Sequence, residues 1–220
     1  MKDINDRNPG SFSPQPFFIG AFFSGQQILQ LLYIRELWRQ DSQVERGTLR
    51  YAPWFSLGNT AIGIWMLFWN NDNMKGAFIP VCINSLTQLY YVFALRDKTP
   101  STYQSKLTNI VSITFAGIGV LDFFHNGSAA YFKSMAPDTL VKIVTCIAAP
   151  LTALISPLAF SACIAYDLFG VAVGQHQLAE KAVVGFGGGG GEGWARLVGG
   201  LGVGVLGIVG ARAISGGQWL

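Results

Sequence analysis

The sequence predicts an all-α fold: a polytopic membrane helix bundle of five transmembrane helices, with a short glycine-rich sixth left open. Three observations carry this. Half of the 220 residues are hydrophobic and only 12% are charged, against about 25% charged in a soluble domain. The apolar residues gather in runs near the ~20 residues that cross a bilayer. The charged residues fall between those runs. The net charge of +3 is spread over loops with no basic stripe, which argues against nucleic acid as a partner. Membrane lipids are the surroundings this composition calls for.

In chain order, residues 1–16 are polar, rich in proline and glycine, and read as a solvated, disordered tail rather than a cleavable signal. The bundle is expected over 17–185. Its first span is Phe17–Ile34, with small residues spaced four apart, Gly20 with Ser24 and Ala21 with Gly25. A charged loop, Arg35–Arg50, leads to Pro53, which suits a helix entrance, and to a second span, Pro53–Asn71. The third is Gly76–Leu95, with Asn84 and Gln88 one helical turn apart. The fourth is Leu107–Phe124. The fifth, Thr139–Gly170, is too long to stand straight, and Pro150 and Pro157 predict a kink in it or a cytosolic extension.

The glycine-rich segment 186–220 differs in character. Gly187–Gly191 reads as a flexible linker. Leu197–Ala211 is apolar but short, and is either a sixth span with a Gly200–Gly204 packing face or a surface-lying segment. That face is where a second copy or another membrane partner would pack. Cys82, Cys146 and Cys163 all lie in apolar runs, form no CxxC pair and meet no histidine cluster, so they read as small hydrophobes with no metal or cofactor implied.

Five spans sort the loops into two sides. One carries Arg35, Arg39, Arg46, Arg50, Arg96, Lys98, Lys106, Lys181 and Arg196; the other carries Lys2, Arg7, Lys75, Lys133 and Lys142. Nine against five places the N-terminus on the non-cytosolic side, in an endomembrane or plasma membrane. The sequon Asn126-Gly127-Ser128 falls on that same side.

Polar side chains within spans usually turn inward. At about 1.5 Å per residue, Gln30 lies about 20 Å below the outer surface, Gln88 about 18 Å below it, and Asn59 about 9 Å above the inner surface of a ~30 Å core. The three amides share a level in the inner half. On a helical wheel Asn59, Ile62, Gly63, Met66 and Asn70 share a face, flanked by Trp65 and Trp69. The expectation is a polar-floored, aromatic-walled ligand pocket between the first three spans; the plainer alternative is amide bonding that only holds the helices together. Asp122 and His125, three apart near the end of the fourth span, and Asp167 in the fifth are the candidates for acid–base chemistry, with solvated helix ends as the plain alternative. Leu31-Leu-Tyr33-Ile-Arg35, and Leu89-Tyr-Tyr91 with Arg96, match a loose cholesterol pattern that interfacial anchors also satisfy.

Pro53-Trp54, Leu57-Gly58-Asn59, Trp65 and Phe68-Trp69-Asn70, with the Pro14-Gln-Pro16 entrance and the polar-spotted third span, resemble the tryptophan-rich sensory protein (TspO/translocator) family over residues 14–125. The resemblance implies a five-helix bundle that holds porphyrins, sterols or other apolar molecules, with Trp65, Trp69 and Asn59 lining the pocket. Asp167 after Tyr166 departs from that family's sterol pattern, and the glycine-rich tail has no counterpart in it. Three functions follow: binding or transport of an apolar small molecule (sterol, porphyrin or isoprenoid class), a small membrane enzyme acting on a lipid or isoprenoid, or a structural or assembly subunit.

Overall fold

Capping residues and prolines set the helix boundaries. The structure, a computed structural model, describes residues 2–39, 46–181 and 190–220. These residues form helices α1 (Lys2–Arg7), α2 (Pro16–Leu37), α3 (Arg46–Asn70), α4 (Met74–Tyr90, continued by a π-helical turn Tyr91–Leu95), α5 (Tyr103–Tyr131), α6 (Thr139–Ile155), α7 (Leu158–Glu180) and α8 (Gly190–Ile214). The Gln15 side chain accepts from the N–H groups of Phe17 and Phe18 at the start of α2, and Pro16 occupies a first-turn position where no donor is needed. Asn73, Thr102 and Asp138 cap α4, α5 and α6 in the same manner, Thr102 in a reciprocal box with Ser105. Pro53 is not an entrance residue; α3 begins earlier, at Arg46, and carries Pro53 inside it. Residues 187–189 of the expected glycine linker lie outside the described residues, as do residues 40–45 of the charged loop; Gly190 and Gly191 begin α8.

The fold is an all-α bundle with five helices long and apolar enough to cross a membrane: α2, α4 with its π-helical turn, α5, α7 and α8. Large apolar side chains such as Ile28, Leu31, Leu67, Ile79, Leu86 and Ile147 are exposed on its outside. That surface suits lipid rather than water. The protein is a multi-pass integral membrane protein. The set of five differs from the expected set in one member. The C-terminal segment supplies a full 25-residue helix, while α3, equally long, is not among them, its run being diluted by asparagine and tryptophan. Helix α5 lies at the centre, packed on α2, α3, α4 and α7, and α8 packs along α7.

The expected kink in the fifth span is a complete break. Pro157 bars the α conformation at Ser156, which is extended (φ −91°, ψ 167°). The chain then reverses as a hairpin, α6 down and α7 back. The turn's backbone is satisfied from far along the sequence. Arg212 of α8 donates to the carbonyls of Ala153 (2.5 Å) and Ser156 (2.8 Å), a cation on a helix C-terminus. The carbonyls of Gln218 and Trp219 accept from Leu158 and Ala159 at the start of α7.

This hairpin returns the end of α7 to the end of the bundle where the chain starts. There Gln175 donates to the carbonyls of Gly10 and Ser13, and Trp194 Nε1 donates to the Ser11 carbonyl at 2.6 Å. Lys181 and Arg196 thus join the N-terminal end, and Arg212 joins the other. The difference of nine against five that set the orientation narrows to eight against seven. The sequon gives no support either. Asn126 is buried inside α5, donating to the Asp122 carbonyl and accepting from Trp65 Nε1 at 2.8 Å.

The stretch after α1, expected as a solvated tail, is instead built into that end. Asn8, Ser11 and Ser13 are buried. Asn8 donates to Asp72 at 2.6 Å, with Arg7 on the same carboxylate at 3.3 Å, and Ser11 donates to the Met135 carbonyl. Gly174 is required here, because a Cβ would strike the Ser13 carbonyl and come within 2.6 Å of the Gln15 nitrogen.

Candidate ligand cavity

Among the described residues no hydrogen bond joins the three amides expected to floor a pocket. Gln88 is fully buried, accepts from Tyr51 Oη at 2.9 Å and donates to the Trp54 carbonyl at 2.8 Å. Asn59 is half-buried and donates to the Phe55 carbonyl of its own helix at 3.0 Å. Gln30 is buried on α2, one turn beyond Gln26, which bonds to the Val111 carbonyl and to the Thr114 hydroxyl of α5. Aromatic rings pack between the first three spans at the level of Tyr51. The Tyr33 ring lies 5.4 Å from Tyr51 and 5.0 Å from Phe55, and the Tyr51 and Tyr91 rings meet tilted at 4.5 Å.

The inward face of α3 is rotated from the expected one. It carries Tyr51, Phe55, Gly58, Ala61 and Trp69. Gly63 and Met66 are exposed, and nothing lies within 4 Å of a Cβ built on Gly63. Gly58 is the glycine that matters: a Cβ there would come within 2.6 Å of Gln88 Nε2, 2.7 Å of Asn84 Oδ1 and 2.9 Å of the Phe115 ring. Trp65 and Trp69 do touch, with tilted rings 5.3 Å apart, but Trp65 serves Asn126 and Trp69 packs on the His125 ring at 5.7 Å. The tyrosines of the cholesterol-like patterns point inward: Tyr33 is buried with its hydroxyl on the Thr48 carbonyl, and Tyr91 is buried against Tyr51.

The acid–base candidates separate as well. His125 Nδ1 faces Ser13 Oγ at 3.4 Å, and no bond joins it to Asp122 among the described residues. Neither carboxylate is a solvated helix end, since Asp122 and Asp167 are 7% and 5% exposed. Helices α5 and α7 run parallel, with Gly117 against Cys163, where a Cβ would come within 2.5 Å of the cysteine Cβ. Asp122 and Asp167 follow these by five and four residues and stand at one level. Both oxygens of Asp167 are buried without a hydrogen-bond partner among the described residues.

Asp167 lines a cavity of about 900 Å³ between α5, α6 and α7. The cavity exists because α6 packs on α7 and α8 and barely touches α5. Its walls are apolar, from Val120, Phe123 and Phe124 of α5, Val144 and Ala148 of α6, and Ile164 and Leu168 of α7. Ser11 and Phe12 close one end, with the Phe12 ring 5.1 Å from Phe124 and 5.7 Å from Trp194. The volume and the mostly apolar lining are those of a small-molecule site. None of Gln30, Asn59, Gly63, Trp65, Met66, Trp69 or Gln88 lines it; of the expected site residues only Asp167 does. Sequence patterns could signal it only through a carboxylate in the middle of an apolar run. The rest of the lining comes from a helix pair that read as a single span. Comparison with protein-family models, curated proteins and solved structures finds no match.

Proposed function

We propose that this membrane protein binds an apolar small molecule in the cavity between α5, α6 and α7. The observation that carries the reading is the cavity itself: about 900 Å³ with hydrocarbon and aromatic walls. Sterols, isoprenoids and porphyrins, the classes implied by the resemblance to the tryptophan-rich family, are the first ligands to test, at a site different from the one that resemblance implies. Acid–base catalysis gains less support, because among the described residues no hydrogen bond joins His125 to Asp122 and none reaches the Asp167 oxygens. The test is saturable binding of a fluorescent sterol or isoprenoid to the protein in nanodiscs. Ala148→Trp, which fills the cavity from α6, abolishes binding on this reading; unchanged binding in that variant overturns it.

A second reading, an assembly role, is favoured by the outward face of α8. Gly200, Gly204 and Gly207 are exposed with open space where side chains would stand, as on a helix awaiting a close neighbour. A change from dimer to monomer on Gly204→Leu supports it; a monomeric wild-type protein with no co-purifying partner removes it.

A further inference from the structure

We propose that Asp167 is the recognition point of the cavity, and that its ligand is an amphiphile with a protonated amine head on a hydrocarbon body. This deepens the cavity reading and rests on it.

Unmet polarity and charge sign both point to this ligand. A carboxylate buried in apolar surroundings without a partner is costly, and an arriving ammonium group supplies both the counter-charge and the donors. Asp167 is such a group: the residue stands on the cavity wall, and both of its oxygens are enclosed without a hydrogen-bond partner among the described residues, so recognition includes a turn of this side chain toward the cavity. Three of the wall's hydroxyls are already engaged as donors, and those of Thr152 and Tyr131 carry no charge. The Ser128 hydroxyl donates to the His125 carbonyl, the Thr145 hydroxyl to the Val141 carbonyl, and the Ser11 hydroxyl to the Met135 carbonyl. Asp138, at the rim, is held by the Val141 N–H as the cap of α6. Among the described residues the wall contains no lysine, arginine or histidine to neutralise Asp167. Asp122, level with it on the adjacent helix, adds a second acid rather than a base. A cavity with acid and no cation selects for positive charge, and its apolar length takes the chain behind the head.

Three twelve-carbon probes differing only in the head decide it: dodecylamine, dodecan-1-ol and dodecanoate. An alkylamine, like lysine, is protonated at pH 7. Equilibrium binding of each is measured to the full chain in phosphatidylcholine nanodiscs, with empty nanodiscs subtracted. The wild-type protein is expected to hold the amine at least about tenfold more tightly than the alcohol and to reject the carboxylate, the discrimination typical of a buried polar site left unpaired by the wrong ligand. In Asp167→Asn the amine falls to the alcohol's affinity while the alcohol is unchanged. Equal binding of amine and alcohol by the wild-type protein overturns the anchor, as does amine binding that survives Asp167→Asn. The first of these comparisons needs no variant and stands even where the variant misfolds. Ala148→Trp separates the two layers. Loss of all probes in it leaves the cavity reading intact whatever Asp167 does. Saturable binding unaffected by it, or no saturable binding of amine or alcohol to the wild-type protein, sinks the cavity and the anchor together.

Discussion

Tyr51 donates its hydroxyl proton to Gln88 at 2.9 Å, and this bond ties α3 to α4 in the region where the amide pattern placed a pocket. The amide is spent on structure. Interhelical hydrogen bonds of this kind contribute about 0.6 kcal/mol on average and at most about 1.7. Tyr51→Phe is therefore expected to lower stability by about 1 kcal/mol in a reversible unfolding assay in mixed micelles and to leave ligand affinity unchanged. A loss of affinity without a loss of stability would contradict this assignment.

Gly58 and Gly63 are five residues apart on α3 and behave oppositely. Gly58→Ala drives a methyl into Gln88, Asn84 and Phe115, and overpacking of this kind costs about 1–3 kcal/mol. Gly63→Ala meets open space and is expected to be neutral or to stabilise the helix by up to about 1 kcal/mol. Paired melting curves in the same detergent read the difference directly; the reverse order would mean that α3 is rotated relative to this structure.

Asn59 returns its amide proton to the carbonyl of Phe55, a local bond that satisfies an asparagine at a half-exposed position. Asn59→Leu is expected to leave both binding and fold intact, with a stability change within about 0.5 kcal/mol. Binding lost in Asn59→Leu would return the site to the first three spans.

Arg212 holds the α6–α7 turn through two carbonyls, that of Ala153, to which Pro157 has no N–H to donate, and that of the extended Ser156. Hydrogen bonds to a charged group contribute about 1.5–3 kcal/mol each. Arg212→Ala is expected to raise hydrogen exchange at residues 153–160 and to lower the melting temperature, while the α3–α4 pair keeps its protection. Unchanged exchange at the turn would show that the C-terminal carbonyls alone hold it.

Gly174 admits the N-terminal strap to the bundle. Gly174→Val cannot keep the Ser13 and Gln15 backbone where it stands, so residues 8–15 are expected to become open to protease while α2–α8 stay folded. Resistance equal to wild type would contradict the buried path of this segment.

Where the sequence was legible, it was legible for a physical reason. The runs from Phe17, Gly76 and Leu107 each became one helix because composition and length alone decide that a span must satisfy its own backbone. The run Thr139–Gly170 misled because both arms of the α6–α7 hairpin are apolar. No charged residue marks the turn at Ser156-Pro157, whose partners, Arg212 and the carbonyls of Gln218 and Trp219, lie about sixty residues away. The face of α3 misled for another reason. The premise that amides turn inward fails at Asn59, which bonds to its own helix, and holds at Gln88, which has Tyr51. Asp167 was visible as a charge in an apolar run; that α6 stands away from α5 to leave space beside it is a matter of packing, which no periodicity records.

The central claim is that a ligand occupies the space between α5, α6 and α7. The most direct measurement is photolabelling with a diazirine-bearing twelve-carbon amine in phosphatidylcholine nanodiscs, followed by mass-spectrometric mapping with and without excess unlabelled dodecylamine. Competable label is expected on the facing walls of this cavity, at Val144, Ala148, Ile164 or Leu168. Competable label confined to α2, α3 and α4, or label spread over the lipid-facing surface that excess amine does not reduce, would contradict it.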